Sequence, residues 1–164
     1  LCRALGATII TTASAANHDY VRQLGADHVI DYQKEDVVAR ILEITEGRGV
    51  DSVQAAVDTE TADQGIEVLA FAGAISCIAG LPTLSEETFA RSISLHKISL
   101  GAAHMSNNRA AQLDLAQMAE EMIGLVAEGK IDPMVEQRIS LDQVPDGLAQ
   151  LETRHARGKI VAEL

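Results

Sequence analysis

The 164-residue sequence contains very few aromatic residues: two Phe, two Tyr and no Trp. A hydrophobic core therefore has to be built from Ala, Val, Ile and Leu, which is typical of buried parallel sheets. The hydrophobic fraction of 47% and the charged fraction of 23% are those of an ordinary globular chain. The length predicts one domain, as the default, with enough chain to bury a core.

Positively charged residues are also scarce, with 13 Lys and Arg against 24 Asp and Glu, which gives a net charge of −11. This excess of acidic residues disfavours binding to nucleic acid, which requires a cationic surface, and binding to an anionic membrane surface. No apolar run approaches the roughly 20 residues of a transmembrane helix, and no signal peptide is visible. We therefore expect a cytoplasmic protein with no nucleic acid and no membrane partner.

Cysteine and histidine form no pattern that predicts a metal site. Cys2 and Cys77 have no CxxC spacing, and Cys77 lies in an apolar run that is typical of a core residue. The five histidines are scattered along the chain, at His18, His28, His96, His104 and His155. No Ser-His-Asp or Cys-His arrangement with a recognisable nucleophile turn is present. We expect no metal in this chain and assign no catalytic residue.

Short apolar strands alternate with helical segments along the whole sequence. The predicted strands are Thr8–Thr12, His28–Tyr32, Val50–Val57, Ala74–Ala79, Ser94–Gly101, Arg138–Leu141 and Lys159–Leu164. The predicted helices are Asn17–Leu24, Lys34–Thr45, Thr61–Ala70 (with Thr61 as a plausible N-cap), Ala110–Gly129 and Val144–Leu151. Repeated units of this kind predict an α/β fold with a doubly wound parallel sheet. Ligands of such sheets bind beyond the carboxyl ends of the strands.

Four sequence motifs in this order resemble the medium-chain dehydrogenase/reductase superfamily. They are "LGADHVIDY", "GRGVDSV", "VDT" and a terminal "RGKIV". Within the superfamily the chain is most similar to the quinone oxidoreductase branch and its zinc-type alcohol dehydrogenase relatives. The resemblance covers essentially the whole chain and implies a Rossmann-type cofactor-binding half.

The resemblance also implies what this chain lacks. Complete members of the family carry a GroES-like catalytic domain, then a strand and a glycine-rich turn, ahead of the segment that matches here. Residues 1–132 then correspond to an incomplete NAD(P)-binding Rossmann domain without its first strand and glycine-rich turn. We expect a gap between the strands Thr8–Thr12 and Val50–Val57. Residues 133–164 correspond to a segment that in the family returns to the catalytic domain.

The turn after the first predicted strand contains no carboxylate. A carboxylate at that position accepts hydrogen bonds from the adenosine ribose of NAD and repels the 2′-phosphate of NADP. Ser14 can donate a hydrogen bond to this phosphate. The resemblance implies contacts from Tyr32 and from Asn17, which lies at a position where relatives use lysine. We expect NADPH as the cofactor, with NADH possible. Alternatively, Ser14 or Asn17 caps the following helix, and Tyr32 is an exposed aromatic at a strand end.

Two further turns are candidates for cofactor contacts, because they follow the third and fourth predicted strands. Thr59, Gly80 and Leu81 occupy them. The family passes the nicotinamide-ribose side of its cofactor here, so the resemblance implies a contact from Thr59. Gly80 lets a backbone approach closely, although a tight turn also requires glycine, and Asp58 can serve simply as a cap.

The sequence therefore predicts the cofactor-binding part of an NADPH-dependent oxidoreductase that reduces a quinone, enone or carbonyl by hydride transfer. The alternative is a catalytically inactive truncated domain that acts as a dimerising or nucleotide-binding module. The resemblance implies a homodimer through the edge strand Ser94–Gly101, and edge pairing with two-fold symmetry is physically natural. We expect little or no catalysis from the isolated chain.

Overall fold

A computed structural model describes residues 1–153 and 156–163. The strands are β1 (Ile10–Thr12), β2 (His28–Ile30), β3 (Val50–Ala55), β4 (Leu69–Cys77), β5 (Ser94–Lys97), β6 (Val135–Ser140) and β7 (Lys159–Glu163). The helices are α1 (His18–Gln23), α2 (Val37–Ile44), α3 (Thr59–Glu67), α4 (Glu86–Phe89), α5 (Ala102–Met105), α6 (Arg109–Ala127) and α7 (Val144–Glu152). The chain divides into two compact units, Leu1–Gln112 and Leu113–Leu164.

The first unit contains two parallel ladders. β1 pairs with β2, with Thr12 opposite Ile30. β4 lies between β3 and β5, and both of its pairings are parallel. The alternation of helices with parallel strands confirms the predicted α/β fold of the Rossmann type.

β1 and β3 do not pair with each other, and no strand of the described residues lies hydrogen-bonded between them. The gap falls between the first and third strands of the chain, where the family resemblance predicts that a strand is missing. On β3, the side chains of Ser52 and Gln54 are exposed. The strand edges beside the gap leave backbone groups without a ladder partner in the part of the chain that the structure describes.

The core of the first unit lies between α3 and the ladder β3–β4–β5. The buried cluster consists of Ala55, Ala62, Ile66, Leu69, Ile75 and Cys77, so Cys77 is a core residue as predicted. Gly65 of α3 allows the helix to pack closely, because a Cβ at this position would lie 2.8 Å from Val53 Cγ1 and 3.0 Å from Ile75 Cδ1. The core is aliphatic, as the scarcity of aromatic residues predicts.

Helix α3 begins and ends earlier than the sequence pattern predicts. Its N-cap is Asp58, whose side chain accepts a hydrogen bond from the Thr61 N–H, so the prediction of Thr61 as the N-cap is wrong. At the other end, the Arg91 guanidinium donates to the carbonyls of Ile66, Glu67 and Leu69. The contacts to Ile66 and Glu67 reach the last turn of α3, where carbonyls lack an intrahelical partner. The third contact lies on β4, which begins at Leu69 instead of Ala74.

Strand β5 is shorter than the predicted strand Ser94–Gly101. It ends at Lys97, and the chain turns directly afterwards, since Ala102 N–H donates to Ser99 O and His104 N–H donates to Gly101 O. The predicted alternation up to Gly101 therefore includes residues of a turn. α4 adds a short helix to the loop before β5, and a capping box formed by Ser85 and Thr88 begins it.

The second unit contains α6 from Leu113 onward, α7 and the parallel pair β6–β7. Arg138 and Glu163 join the two strands by an ion pair at 2.9 Å. Leu164, the predicted end of the last strand, lies outside the described residues, and the predicted domain boundary at residue 132 stays a prediction. In residues 1–153 and 156–163, no helix combines the length and the apolar character needed to cross a bilayer.

Candidate cofactor site

The turns that follow β1 and β2 lie side by side at the carboxyl end of their ladder. The parallel register places Thr12 opposite Ile30, and the Ala13 N–H donates to Ile30 O at 3.0 Å. Ala13 is buried, which fixes the start of the first turn. The candidate residues Ser14 and Tyr32 therefore follow neighbouring strand ends at the same edge, where parallel sheets bind ligands.

The structure brings Ser14 and Asn17 into contact. Asn17 N–H donates to Ser14 O at 2.8 Å, and Asn17 Nδ2 donates to Ser14 Oγ at 3.4 Å. Neither side chain makes a capping hydrogen bond, although Ser14 and Asn17 occupy the N-cap positions of the 3₁₀ turn Ala15–Asn17 and of α1. Their geometry does not support the interpretation of these residues as helix caps.

His18 also takes part in this turn, which the sequence pattern did not predict. Its Nε2 lies 3.1 Å from Ala13 O, five residues earlier in the chain. A lone histidine at the start of a helix carries no sequence signal for such a contact. The hydrogen bond becomes visible once the path of the turn is known.

The residues after β2 place one ionisable side chain inward and one outward. Tyr32 is exposed, so its hydroxyl can reach a ligand or solvent. The Asp31 carboxylate is buried and accepts the Gln33 N–H at 3.1 Å, with Lys34 Nζ at 3.7 Å. This carboxylate is thus engaged by its own turn and by a cation.

The turns that follow β3 and β4 form a second cluster, in which Thr59 and Gly80 are in close contact. A Cβ added to Gly80 would lie less than 3.0 Å from backbone atoms of Asp58 and Thr59. Gly80 therefore allows one strand-end turn to pack on the other, which is a requirement for space and not for an unusual φ angle. Leu81 follows and is half exposed, 47%.

Asp58 caps helix α3, which is one of the roles that the sequence allowed for it. Its carboxylate accepts the Thr61 N–H and lies 2.9 Å from Thr61 Oγ1. The backbone N–H and the hydroxyl of Thr61 lower the pKa of Asp58. Asp58 thus fixes the backbone of Thr59, which is the first residue of α3.

Lys97 was missed by the sequence analysis. Its Nζ donates to Ile78 O at 2.5 Å and to Ala79 O at 3.1 Å. It holds the chain that leads from β4 into Gly80. Nothing in the sequence indicates that the side chain of Lys97, at the end of a short strand, reaches the end of the neighbouring strand β4.

Among residues 1–153 and 156–163, no three His, Cys, Asp or Glu side chains form a group that could hold a metal ion. His96 is exposed on β5, and His155 lies outside the described residues. Of the predicted cofactor residues, the structure joins Ser14 with Asn17, and Thr59 with Gly80. Tyr32 and Leu81 lie exposed at the corresponding strand ends.

Comparison with known proteins places this geometry in a family. The zinc-binding dehydrogenase family matches residues 24–161. A quinone oxidoreductase from Pseudomonas aeruginosa is 28% identical over 169 residues, which cover 97% of this chain and 50% of that protein. The chain spans 37% of another curated relative, the zebrafish homologue of synaptic vesicle membrane protein VAT-1, at 25% identity over 98% of this chain.

Solved structures of quinone oxidoreductases share the fold. The enzyme from Pseudomonas syringae superposes with a TM-score of 0.80 at 27% identity, over 99% of this chain and 51% of that chain. The Escherichia coli quinone oxidoreductase, solved in complex with NADPH, gives a TM-score of 0.80 at 26% identity, over the same shares of the two chains. The predicted resemblance is therefore confirmed: the chain belongs to the zinc-binding dehydrogenase family and corresponds to about half of its quinone oxidoreductase relatives.

Proposed function

We propose that this chain is the cofactor-binding part of an NADPH-dependent oxidoreductase that transfers hydride to a quinone, an enone or a carbonyl. The observation that carries the proposal is the neutral turn after β1, where Ser14 and Asn17 are hydrogen-bonded beside the exposed Tyr32 strand end. The relation to an E. coli quinone oxidoreductase that was solved with NADPH supports it.

The absence of a carboxylate from this turn favours NADPH for an electrostatic reason. Two unit charges about 4 Å apart interact by about 1 kcal/mol in water and by about 4 kcal/mol at an effective dielectric constant near 20. A carboxylate here would repel a 2′-phosphate, which carries more than one negative charge. Ser14 and Asn17 instead offer a hydroxyl and an amide, which can donate to phosphate oxygens.

The proposed cofactor contacts divide into two groups. Ser14, Asn17 and Tyr32 would meet the adenosine 2′-phosphate. Thr59, Gly80 and Leu81 would lie along the nicotinamide side, where Gly80 packs closely against the backbone of Thr59 at the start of α3. We further propose that residues 1–132 form the Rossmann part and that residues 133–164 return to a catalytic domain, as in the family.

Isothermal titration of the chain with NADPH and NADH tests the proposal. We expect weak binding with a preference for NADPH. Asn17→Lys should strengthen NADPH binding about fivefold, the effect of about 1 kcal/mol from one added charge in a solvated site, and should change NADH binding less. Gln117→Lys on α6 adds the same charge elsewhere and is the matched control. A preference for NADH in the wild-type chain would contradict the proposal.

An activity assay separates this function from the alternative of an inactive nucleotide-binding module. NADPH oxidation is followed at 340 nm with a soluble quinone as acceptor. We expect little turnover from the 164-residue chain, together with measurable NADPH binding, because the substrate contacts would come from the domain that relatives carry ahead of this segment. Robust turnover by the chain alone would show that it contains the substrate site itself.

We also propose that β5 forms a homodimer edge, since β5 is the terminal strand of its ladder. The Ile98 N–H donates inward to Cys77 O at 2.9 Å. Because successive N–H groups of a strand point to opposite sides, the N–H of Lys97, the last residue of β5, faces the open edge. Lys97→Pro should therefore weaken the dimer, whereas Ile98→Pro removes an internal ladder bond. Lys97→Ala is the matched control, because it removes the same side chain and keeps the backbone N–H. Sedimentation equilibrium measures the dimer in all three variants, and equal dimerisation of Lys97→Pro and Lys97→Ala would contradict the assignment.

A further inference from the structure

His18 lies at the first residue of α1 and reaches back over the turn that precedes it. Its Nε2 lies 3.1 Å from Ala13 O. A carbonyl oxygen can only accept a hydrogen bond, so Nε2 carries the proton and donates. The neutral ring is therefore held as the Nε2–H tautomer.

This hydrogen bond closes a ring of residues that contains both polar side chains of the turn. At one end, Ala13 is anchored, because its side chain is buried and its N–H donates to Ile30 O at 3.0 Å. Between the anchor and His18, Asn17 donates twice to Ser14, from its backbone N–H at 2.8 Å and from Nδ2 at 3.4 Å. The histidine thus ties the start of α1 to the fixed end of β1.

The Ser14 hydroxyl accepts from the Asn17 amide in this arrangement. Its hydrogen stays available to donate to a ligand oxygen, because a hydroxyl has one donor and two acceptor sites. The direction of that hydrogen depends on where Asn17 holds the Ser14 oxygen. Any residue that fixes the conformation of this turn therefore also fixes the direction in which the Ser14 hydroxyl donates.

We propose that His18 is a positioning residue that sets the preference for NADPH over NADH by holding Ser14 and Asn17 against the 2′-phosphate. This inference rests on the proposed function. Hydrogen bonds to a phosphate are charge-assisted and about twice as strong as those between neutral groups. A loosened turn therefore weakens NADPH binding more than NADH binding, because the ribose of NADH offers only a neutral hydroxyl where NADPH has its 2′-phosphate.

The test compares three variants of the chain by titration calorimetry with NADPH and with NADH. His18→Leu removes the donor and should lower NADPH affinity about fivefold, the loss expected for one hydrogen bond, with a smaller loss for NADH. His18→Gln carries an amide that can donate to Ala13 O, and it should keep the preference of the wild-type chain. His28→Leu is the matched control, because His28 is exposed at the first residue of β2.

Amide hydrogen exchange of Asn17 provides a readout that needs no cofactor. His18→Leu should speed exchange of this N–H, and His18→Gln should restore its protection. If the wild-type chain prefers NADPH and His18→Leu leaves the ratio of the two affinities unchanged, the positioning role is wrong and the proposed function stands. An equal loss for both cofactors would also overturn it, since it indicates a structural role alone. If the wild-type chain shows no preference for NADPH, the proposed function fails and the positioning role fails with it.

Discussion

The two parallel ladders of the first unit end in turns that differ in how closely they pack. After β1, the turn is held by side-chain hydrogen bonds, from His18 to Ala13 O and from Asn17 to Ser14. After β3 and β4, close packing is added to the hydrogen bonds of Asp58 and Lys97, with no room for a Cβ between Gly80 and the backbone of Thr59. The first unit thus carries one turn that depends on polar contacts and a pair of turns that are also closely packed.

The two ladders also differ in how their buried side chains pack. The ladder β3–β4–β5 packs on α3 through one contiguous buried cluster. Ile30 of β2 is equally buried but lies outside that cluster. A hydrogen-bonded turn can change its ligand preference by single substitutions, whereas a packed turn transmits any change of volume to the backbone. We therefore expect substitutions in the turns after β1 and β2 to change the preference between cofactors. Substitutions in and around the ladder β3–β4–β5 should mainly lower the free energy of unfolding.

The largest expected effect comes from the buried cluster. Ile75→Ala removes a fully buried side chain and should lower the free energy of unfolding by about 2–5 kcal/mol, the range for core truncations of this kind. Ile30→Ala is the matched substitution in the other ladder and should cost less, because its more exposed surroundings can collapse around the cavity. Urea denaturation measures both changes. Equal losses would contradict the contrast between the ladders.

A smaller loss should follow from filling the contact between the two packed turns. Gly80→Ala places a methyl group against the backbone of Asp58 and Thr59 and should cost about 1–3 kcal/mol, as overpacking does. Gly101→Ala is the control, since nothing lies within 4 Å of a Cβ at that position. Thermal unfolding compares the two variants. If Gly80→Ala were as stable as Gly101→Ala, the close packing assigned to Gly80 would be wrong.

Sequence patterns predicted the elements well where hydrophobic periodicity and local signals agree. The parallel α/β arrangement and the core position of Cys77 could be predicted in this way, whereas the gap between β1 and β3 was implied by the family resemblance. The errors concern element ends that tertiary contacts decide. At the C-terminus of α3, for example, the carbonyls of Ile66 and Glu67 accept hydrogen bonds from Arg91, more than twenty residues later in the chain.

The candidate site was predicted less completely, for the same physical reason. The order of the motifs identified the turns that carry Ser14, Tyr32 and Thr59, because turns at strand ends are fixed by local sequence. The roles of His18 and Lys97 depend on carbonyls that are brought near only by folding. Likewise, Gly80 marks a turn in the sequence, but the neighbour that excludes a side chain there is known only from the structure.

The smallest expected effect concerns pH and involves one carboxylate from each ladder. Ile9 N–H and Arg3 lower the pKa of Asp27 beside the β1–β2 ladder. The N–H and hydroxyl of Thr61 lower the pKa of Asp58 in the packed turns. In the unfolded chain an aspartate titrates near about 3.9. A folded-state pKa below that value means that each carboxylate stabilises the fold fully above the unfolded pKa, and that this contribution is lost as the pH falls through the folded pKa.

Asp58→Asn separates the cap from the charge, because its amide oxygen can still accept the Thr61 N–H. We expect a small loss of stability at neutral pH and a shallower decline of the melting temperature as the pH falls below the unfolded-state pKa of about 3.9 and through the lowered folded-state pKa. Asp27→Asn should flatten the decline as well, although it also removes the charge that pairs with Arg3. Asp114→Asn on α6 is the control. If the Asp58→Asn curve runs parallel to the wild-type curve, the carboxylate charge contributes nothing to acid stability, and the packed turns are held by the Thr61 hydrogen bond, by the packing of Gly80 and by Lys97.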